Sequence, residues 1–131
     1  MNLLLDTHVL IWWLEKSPRV GKKTKATLLD PSALLWMSAA SVWEVSIKSA
    51  LGRMDQLDPP EVWVPRLRDE WGVRALPITL EHAIAVRTLP GLHGDPFDRM
   101  LVAQARCEEL TLVTADPRIA AYDVRTLDAS Q

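Results

Sequence analysis

The chain has 131 residues, 48% of them hydrophobic, and a formal net charge of −2 at pH 7. That is the size of one ordinary domain with enough apolar material for a core, and the charge excludes a uniformly basic coat, so any contact with nucleic acid has to come from local patches. A single cysteine, Cys107, excludes an internal disulfide and fits a reducing compartment such as the cytoplasm; the longest apolar run, VLIWWL at 9–14, is far short of a membrane span, and MNLLLD lacks the features of a signal peptide.

In chain order, NLLL at 2–5 predicts a short buried strand ending at Asp6, followed by a helix over 7–15. A second helix is expected over 20–30, with Ser17 and Pro18 near its start. ALLWMS at 33–38 predicts a strand, and 39–51 a helix stopped by Gly52. The loop DQLDPPE at 55–61 is too short to link domains. A helix follows over 60–71, ending at Gly72, then a strand over 73–78 and helices over 80–88 and 96–109. TLVTA at 111–115 is a strand, a helical turn starts at Pro117, and DVRTL at 123–127 is the last strand. Short apolar strands alternating with helices predict an α/β fold: a three-layer α/β/α sandwich around a mostly parallel sheet.

Four acids fall at telling places. Asp6 sits where the first strand runs out and Asp116 just beyond TLVTA, and sites in open α/β sheets form outside the carboxyl ends of strands. Glu44 lies on the helix after the second strand, and Asp98 on the first turn of the helix over 96–109. Such a cluster requires a cation or raised pKa values, and the motifs offer it no evident cationic partner.

Each acid also has a purely structural reading. Asp6 and Asp116 have N-cap positions, the latter followed by Pro117. Glu44 could pair with Lys48 at i, i+4. Against that, Trp43, Ile47, Ala50 and Leu51 form an apolar stripe read as the buried face, with Glu44 at its edge, where an unpaired carboxylate is costly. Asp95, Pro96 and Asp98 have the N-cap, N1 and N3 positions of their helix, so capping accounts for Asp95. Asp98 shares a face with Val102 and Ala105 and points to the covered side, whereas Arg99 is read as pointing outward with Ala103 and Arg106.

The segments LLLDTHVLIWWL, SAASVWEVSIKSALGRM, GDPFDRMLVAQA and LVTADPRI resemble, in order and spacing, the motifs of PIN-domain proteins, in particular VapC-like toxins of type II toxin–antitoxin modules. The resemblance spans nearly the whole chain, 1–131, as one PIN-like nuclease domain. It implies an acidic metal site at Asp6, Glu44, Asp98 and Asp116, with Thr7 and Thr114 as accompanying hydroxyl residues. It further implies a cytoplasmic endoribonuclease, RNA as substrate, products with 5′-phosphate and 3′-hydroxyl ends, and a cognate antitoxin as partner. A DNA-directed nuclease and a non-catalytic PIN-fold binding module are the alternatives. A phosphoryl-accepting receiver domain fits less well, because an acidic pair beside the first strand is absent.

Hard carboxylate oxygens suit Mg²⁺ or Mn²⁺, as one or two ions. His8, His82 and His93 are scattered and form no zinc set with Cys107. His8 is read as satisfied or exposed. His93 is read as a local cap beside Asp95, with a proton shuttle as the alternative. Arg99, Lys48 and Arg53 are the candidates for phosphate contact, and the basic run GKKTKA at 21–26 is a solvated helix face or an extension of an RNA path. VLIWWL covers every side of its helix, so Trp12 and Trp13 are expected to point apart. Either the second helix covers the remainder, or Trp12 lies in a groove that receives an antitoxin helix or a second copy of the chain, in a homodimer.

Overall fold

In the computed structural model, which describes residues 1–131, the strands are β1 (Asn2–Leu5), β2 (Leu34–Ser38), β3 (Arg74–Leu76), β4 (Thr111–Thr114) and β5 (Thr126–Asp128). The helices are α1 (Thr7–Leu14), α2 (Lys22–Leu29), α3 (Ala39–Ala50), α4 (Pro60–Glu70), α5 (Leu80–Ala85), α6 (Pro96–Cys107) and α7 (Pro117–Ala120), with a 3-10 turn at Val86–Thr88. The strands form one sheet in the order β3-β2-β1-β4-β5, and every neighbouring pair is parallel. The strand order therefore reverses between β1 and β4, and the crevice at that switch point is where an open parallel sheet accepts ligands.

Successive side chains of a strand face opposite ways, and the core divides accordingly. Leu3, Leu5, Met37 and Val113 pack on one face with Val9 and Leu10 of α1, Leu28 of α2, and Trp63 and Leu67 of α4. Leu4 and Leu112 pack on the other face with Leu101, Val102 and Ala105 of α6 and Ile119 of α7. β1 and β4 are sealed on both sides, which explains their continuous apolar spelling. No helix is long and apolar enough to cross a membrane.

Three local expectations are corrected. α2 starts at Lys22 behind Gly21, not beside Ser17 and Pro18. Gly21 is required there by close approach: its amide donates to the Ala129 carbonyl at 2.9 Å, and a Cβ would lie 2.1 Å from the Gln131 carbonyl oxygen. The last strand is β5 at Thr126–Asp128, later than 123–127, because its register is set by pairing with β4. The third correction concerns α3. Trp43, Ile47 and Leu51 are 57%, 42% and 62% exposed, and the helix instead buries Ala40, Ser41, Glu44 and Val45. Small residues and a carboxylate face inward because they meet the end of β1, where the Thr7 hydroxyl donates to Ser41 Oγ at 3.0 Å.

Candidate metal centre

The switch point is built by backbone first. Asp6 leaves β1 and donates its amide to the Val113 carbonyl of β4 at 3.1 Å. Its carboxylate caps α1, accepting from the Val9 amide at 2.7 Å. β4 ends at Thr114, whose hydroxyl accepts from the Asp116 amide at 3.0 Å and donates to the Asp6 carboxylate. Asp116 in turn caps α7 through the Arg118 amide at 2.9 Å. The capping readings of Asp6 and Asp116 are thus correct, and they do not exhaust these residues. Each cap uses Oδ1, and Asp116 Oδ2 faces His93 Nε2 at 3.1 Å.

From the other side, α6 delivers Asp98. Asp95 Oδ1 accepts from the amides of Phe97 and Asp98 at 2.8 and 3.0 Å, the N-cap its position predicted. Asp98 Oδ2 lies 3.2 Å from His93 Nε2. His93, Asp98 and Asp116 each offer a ligand atom, all within 4.8 Å of one another, a spacing that could hold a metal ion. Asp6 and Glu44 stand beside this group, close enough that their charges act on Asp98.

Glu44 enters from α3, with Oε2 paired to Lys48 Nζ at 3.0 Å. Its other oxygen, Oε1, is buried without a hydrogen-bond partner. A buried carboxylate oxygen left unpaired is expensive, and a cation is the species that would satisfy it. The donor set of hard oxygens beside an orphaned Oε1 fits a divalent ion.

The electrostatics record the crowding. Asp6, Glu44 and Asp98 are 2%, 7% and 8% exposed. Burial pushes Asp98 up to about 6, the charges of Asp95, Glu44 and Asp6 add to this, and His93 opposes it. Burial also raises Asp6, against hydrogen bonds from Thr114 and Val9. For Asp116 burial pushes upward too, but the bonds from Arg118 and His93 outweigh it and leave the carboxyl below its ordinary range. The acids are therefore not bare of cationic partners: Lys48 supplies one to Glu44 and Arg118 one to Asp116, although the motifs suggest none.

A dependence on pH follows. Folded and metal-free, the chain keeps the Asp98 proton to about 6; unfolded, Asp98 releases it near 3.8. Between these values the fold holds the extra proton, so this group's contribution to stability declines as pH rises from about 4 to about 6. Asp6 acts in the same direction. Asp116, being lowered, acts oppositely and loses its contribution as pH falls. Melting temperatures of the chelator-treated protein across this range should show Asp98→Asn gaining on the wild type as pH rises. Parallel curves would contradict the raised Asp98.

Residues 3–125 match the PIN domain family model. The chain belongs to the PIN-domain family. It is 29% identical over 122 residues to Ribonuclease VapC22 of Mycobacterium tuberculosis (strain ATCC 25618 / H37Rv), covering 92% of each chain. Its fold is similar to a chain in the VapBC2 complex of Rickettsia felis bound to a promoter DNA fragment, at a TM-score of 0.74 and 14% identity over 97% of this chain and 98% of that one. FitAcB of Neisseria gonorrhoeae is similar at a TM-score of 0.63 and 24% identity, with 97% of each chain covered.

This PIN domain places its other singled-out residues unevenly. Arg99 does not point outward. Its guanidinium donates to the carbonyls of Pro90 and Leu89 at 2.9 and 3.3 Å and to Tyr122 Oη at 3.0 Å, which ties the loop before α6 and leaves it unsuited to phosphate contact. Ala103, on the same face, is buried. Arg53 is exposed beyond the end of α3, and His8 is exposed near Trp12. The run at 21–26 lies on α2, with Lys22 and Lys23 exposed. Trp12 and Trp13 do not part company: both are half-buried and line one groove, of which α2 forms a wall instead of a lid. His93 does cap locally, its Nδ1 accepting the Asp95 amide at 3.1 Å, and it is also buried between Asp98 and Asp116. The signal missing from the sequence was its proximity to Asp116, which is a tertiary contact.

Proposed function

We propose that the chain is a metal-dependent endoribonuclease, the toxin of a VapBC-type module, and that residues 1–131 act as one catalytic unit in the cytoplasm. The observation that carries this is the convergence of Asp6, Glu44, Asp98 and Asp116 on one crevice, with Glu44 Oε1 orphaned. The relation to Ribonuclease VapC22 and the likeness to toxin–antitoxin complexes support the choice of RNA and of an antitoxin partner.

Asp6, Glu44, Asp98 and Asp116 would hold one or two Mg²⁺ or Mn²⁺ ions, which when bound supply a lowered water pKa and charge for the leaving oxygen. The chain's own residues do the rest. Thr114 joins Asp6 to Asp116, and Thr7 joins α1 to α3 through Ser41, so the acids keep their spacing. Lys48, held at Glu44, and the exposed Arg118, held at Asp116, lie where a phosphodiester would pass. Arg53 is a more distant contact. The products are 5′-phosphate and 3′-hydroxyl ends.

The antitoxin would place an apolar helix in the groove of about 500 Å³ between α1, α2 and α4, lined by Trp12, Trp13, Leu29 and Trp71 together with the charged Lys16, Lys25, Arg66 and Glu70. A homodimer would cover exposed apolar side chains outside this groove, Trp43 and Ile47 of α3, Leu51 at its C-cap, and Leu80 and Ile84 of α5.

The test is cleavage of matched RNA and DNA strands with Mg²⁺, Mn²⁺ or chelator. RNA should be cut, DNA spared, and chelator should stop the reaction. Metal should also raise the melting temperature, because it binds the folded state preferentially. Cleavage of DNA alone would favour the DNA-directed reading. An unchanged melting temperature in a titration that supports cleavage would count against these acids as ligands.

A further inference from the structure

We propose that His93 is a positioning residue, a hydrogen-bond donor that clasps Asp98 and Asp116 together and sets the tightness of the metal site without ligating the ion. This rests on the reading of those acids as metal ligands.

The Asp95 amide donates to His93 Nδ1 at 3.1 Å. A ring nitrogen that accepts carries no proton, so this bond assigns the neutral tautomer with its proton on Nε2. Nε2 lies 3.2 Å from Asp98 Oδ2 and 3.1 Å from Asp116 Oδ2. One N–H is therefore shared by two carboxylates that arrive from separate elements, α6 and the turn after β4. For Nε2 to ligate instead, the proton would have to move to Nδ1. Nδ1–H would then face the Asp95 N–H, two donors at hydrogen-bond distance.

The tautomer is thus tied to the cap of the helix that carries Asp98. Asp95 fixes α6 with its carboxylate and the imidazole with its amide. The main chain that carries the ring is also held. The His93 backbone N–H donates to Tyr122 Oη at 3.0 Å, and Arg99 donates to the same oxygen at 3.0 Å and to the His93 carbonyl at 3.5 Å. His93 is buried, so little water competes for the bond. A donor held this firmly keeps two like-charged acids at one point before any ion arrives. Partners of this kind, which orient ligating groups, typically change metal affinity by about 10–100-fold when removed.

The experiment is Mn²⁺ titration of the metal-free chain at neutral pH, in the wild type, His93→Ala and His93→Gln, with pulsed EPR of the bound Mn²⁺. The glutamine amide can donate from near the Nε2 position and serves as the conservative replacement. Mn²⁺ affinity should fall about 10–100-fold in His93→Ala, recover largely in His93→Gln, and show no directly coordinated nitrogen in the wild type. Wild-type affinity in a folded His93→Ala, or equal losses in both variants, would overturn the proposal. So would a coordinated imidazole nitrogen. Should His93→Ala not fold, His93→Gln decides alone: affinity near wild type supports the clasp, and loss beyond about tenfold overturns it. A wild type that binds no Mn²⁺ fails the metal reading itself.

Discussion

Asp98→Asn should leave a folded protein that no longer cleaves RNA with Mg²⁺, the rate falling by about a hundredfold or more. The side chain keeps its shape and loses its charge at the point where Asp6, Glu44 and Asp98 crowd. At neutral pH that charge burdens the metal-free fold, since burial and its neighbours hold the carboxyl up near 6. The variant should therefore be at least as stable as the wild type without metal, while gaining less from added Mn²⁺. Opposite signs for stability and activity mark a residue kept for function. Asp95→Asn should be mild, since asparagine is also a good N-cap and the Asp95 amide to His93 is backbone. Rate assays, chelated melts and Mn²⁺ melts on both variants check this. Full activity in folded Asp98→Asn would remove Asp98 from the site.

Trp12→Ala should weaken binding of the cognate antitoxin by about 2 kcal/mol or more, roughly thirtyfold, while cleavage by the free toxin survives. Trp12 and Trp13 line the groove together, Trp13 edge-on to Trp71 at 5.9 Å and Trp12 beneath the Arg19 guanidinium at 5.6 Å. A large aromatic at a concave apolar site whose charged lining is three basic side chains to one acid, Glu70, suits an apolar helix carrying more acids than bases, so binding should also weaken with salt. The same groove could instead seat a second copy, and sedimentation of the variant distinguishes the two. Titration with antitoxin and sedimentation at wild-type strength would place Trp12 in the core or on idle surface.

The elements themselves were legible in the sequence, because they rest on local signals. NLLL and TLVT are short apolar runs between helical segments, and β1 and β4 are buried on both faces for that reason. Asp95 followed by Pro96 read as a helix start and is one. Asp98 read as inward from its spacing to Val102 and Ala105, and all three are buried. α3 misled because an apolar stripe states only that some surface wants cover, and Trp43, Ile47 and Leu51 leave that cover to something outside the chain's own core.

Periodicity, caps and strand ends thus determined the α/β alternation and put four acids at element ends, since each depends on residues a few positions apart. The tertiary structure decided which acids meet and what stands among them. The reversal of strand order between β1 and β4 brings Asp6 and Asp116 together, and the fold lays His93 between Asp98 and Asp116. It also turns Arg99 inward onto loop carbonyls and Tyr122. The contacts to Asp116 and Tyr122 join segments far apart in the chain, and no local pattern encodes them: the hydrogen-bonding capacity of an imidazole or a guanidinium is the same in a loop or a site, and only packing selects its partner.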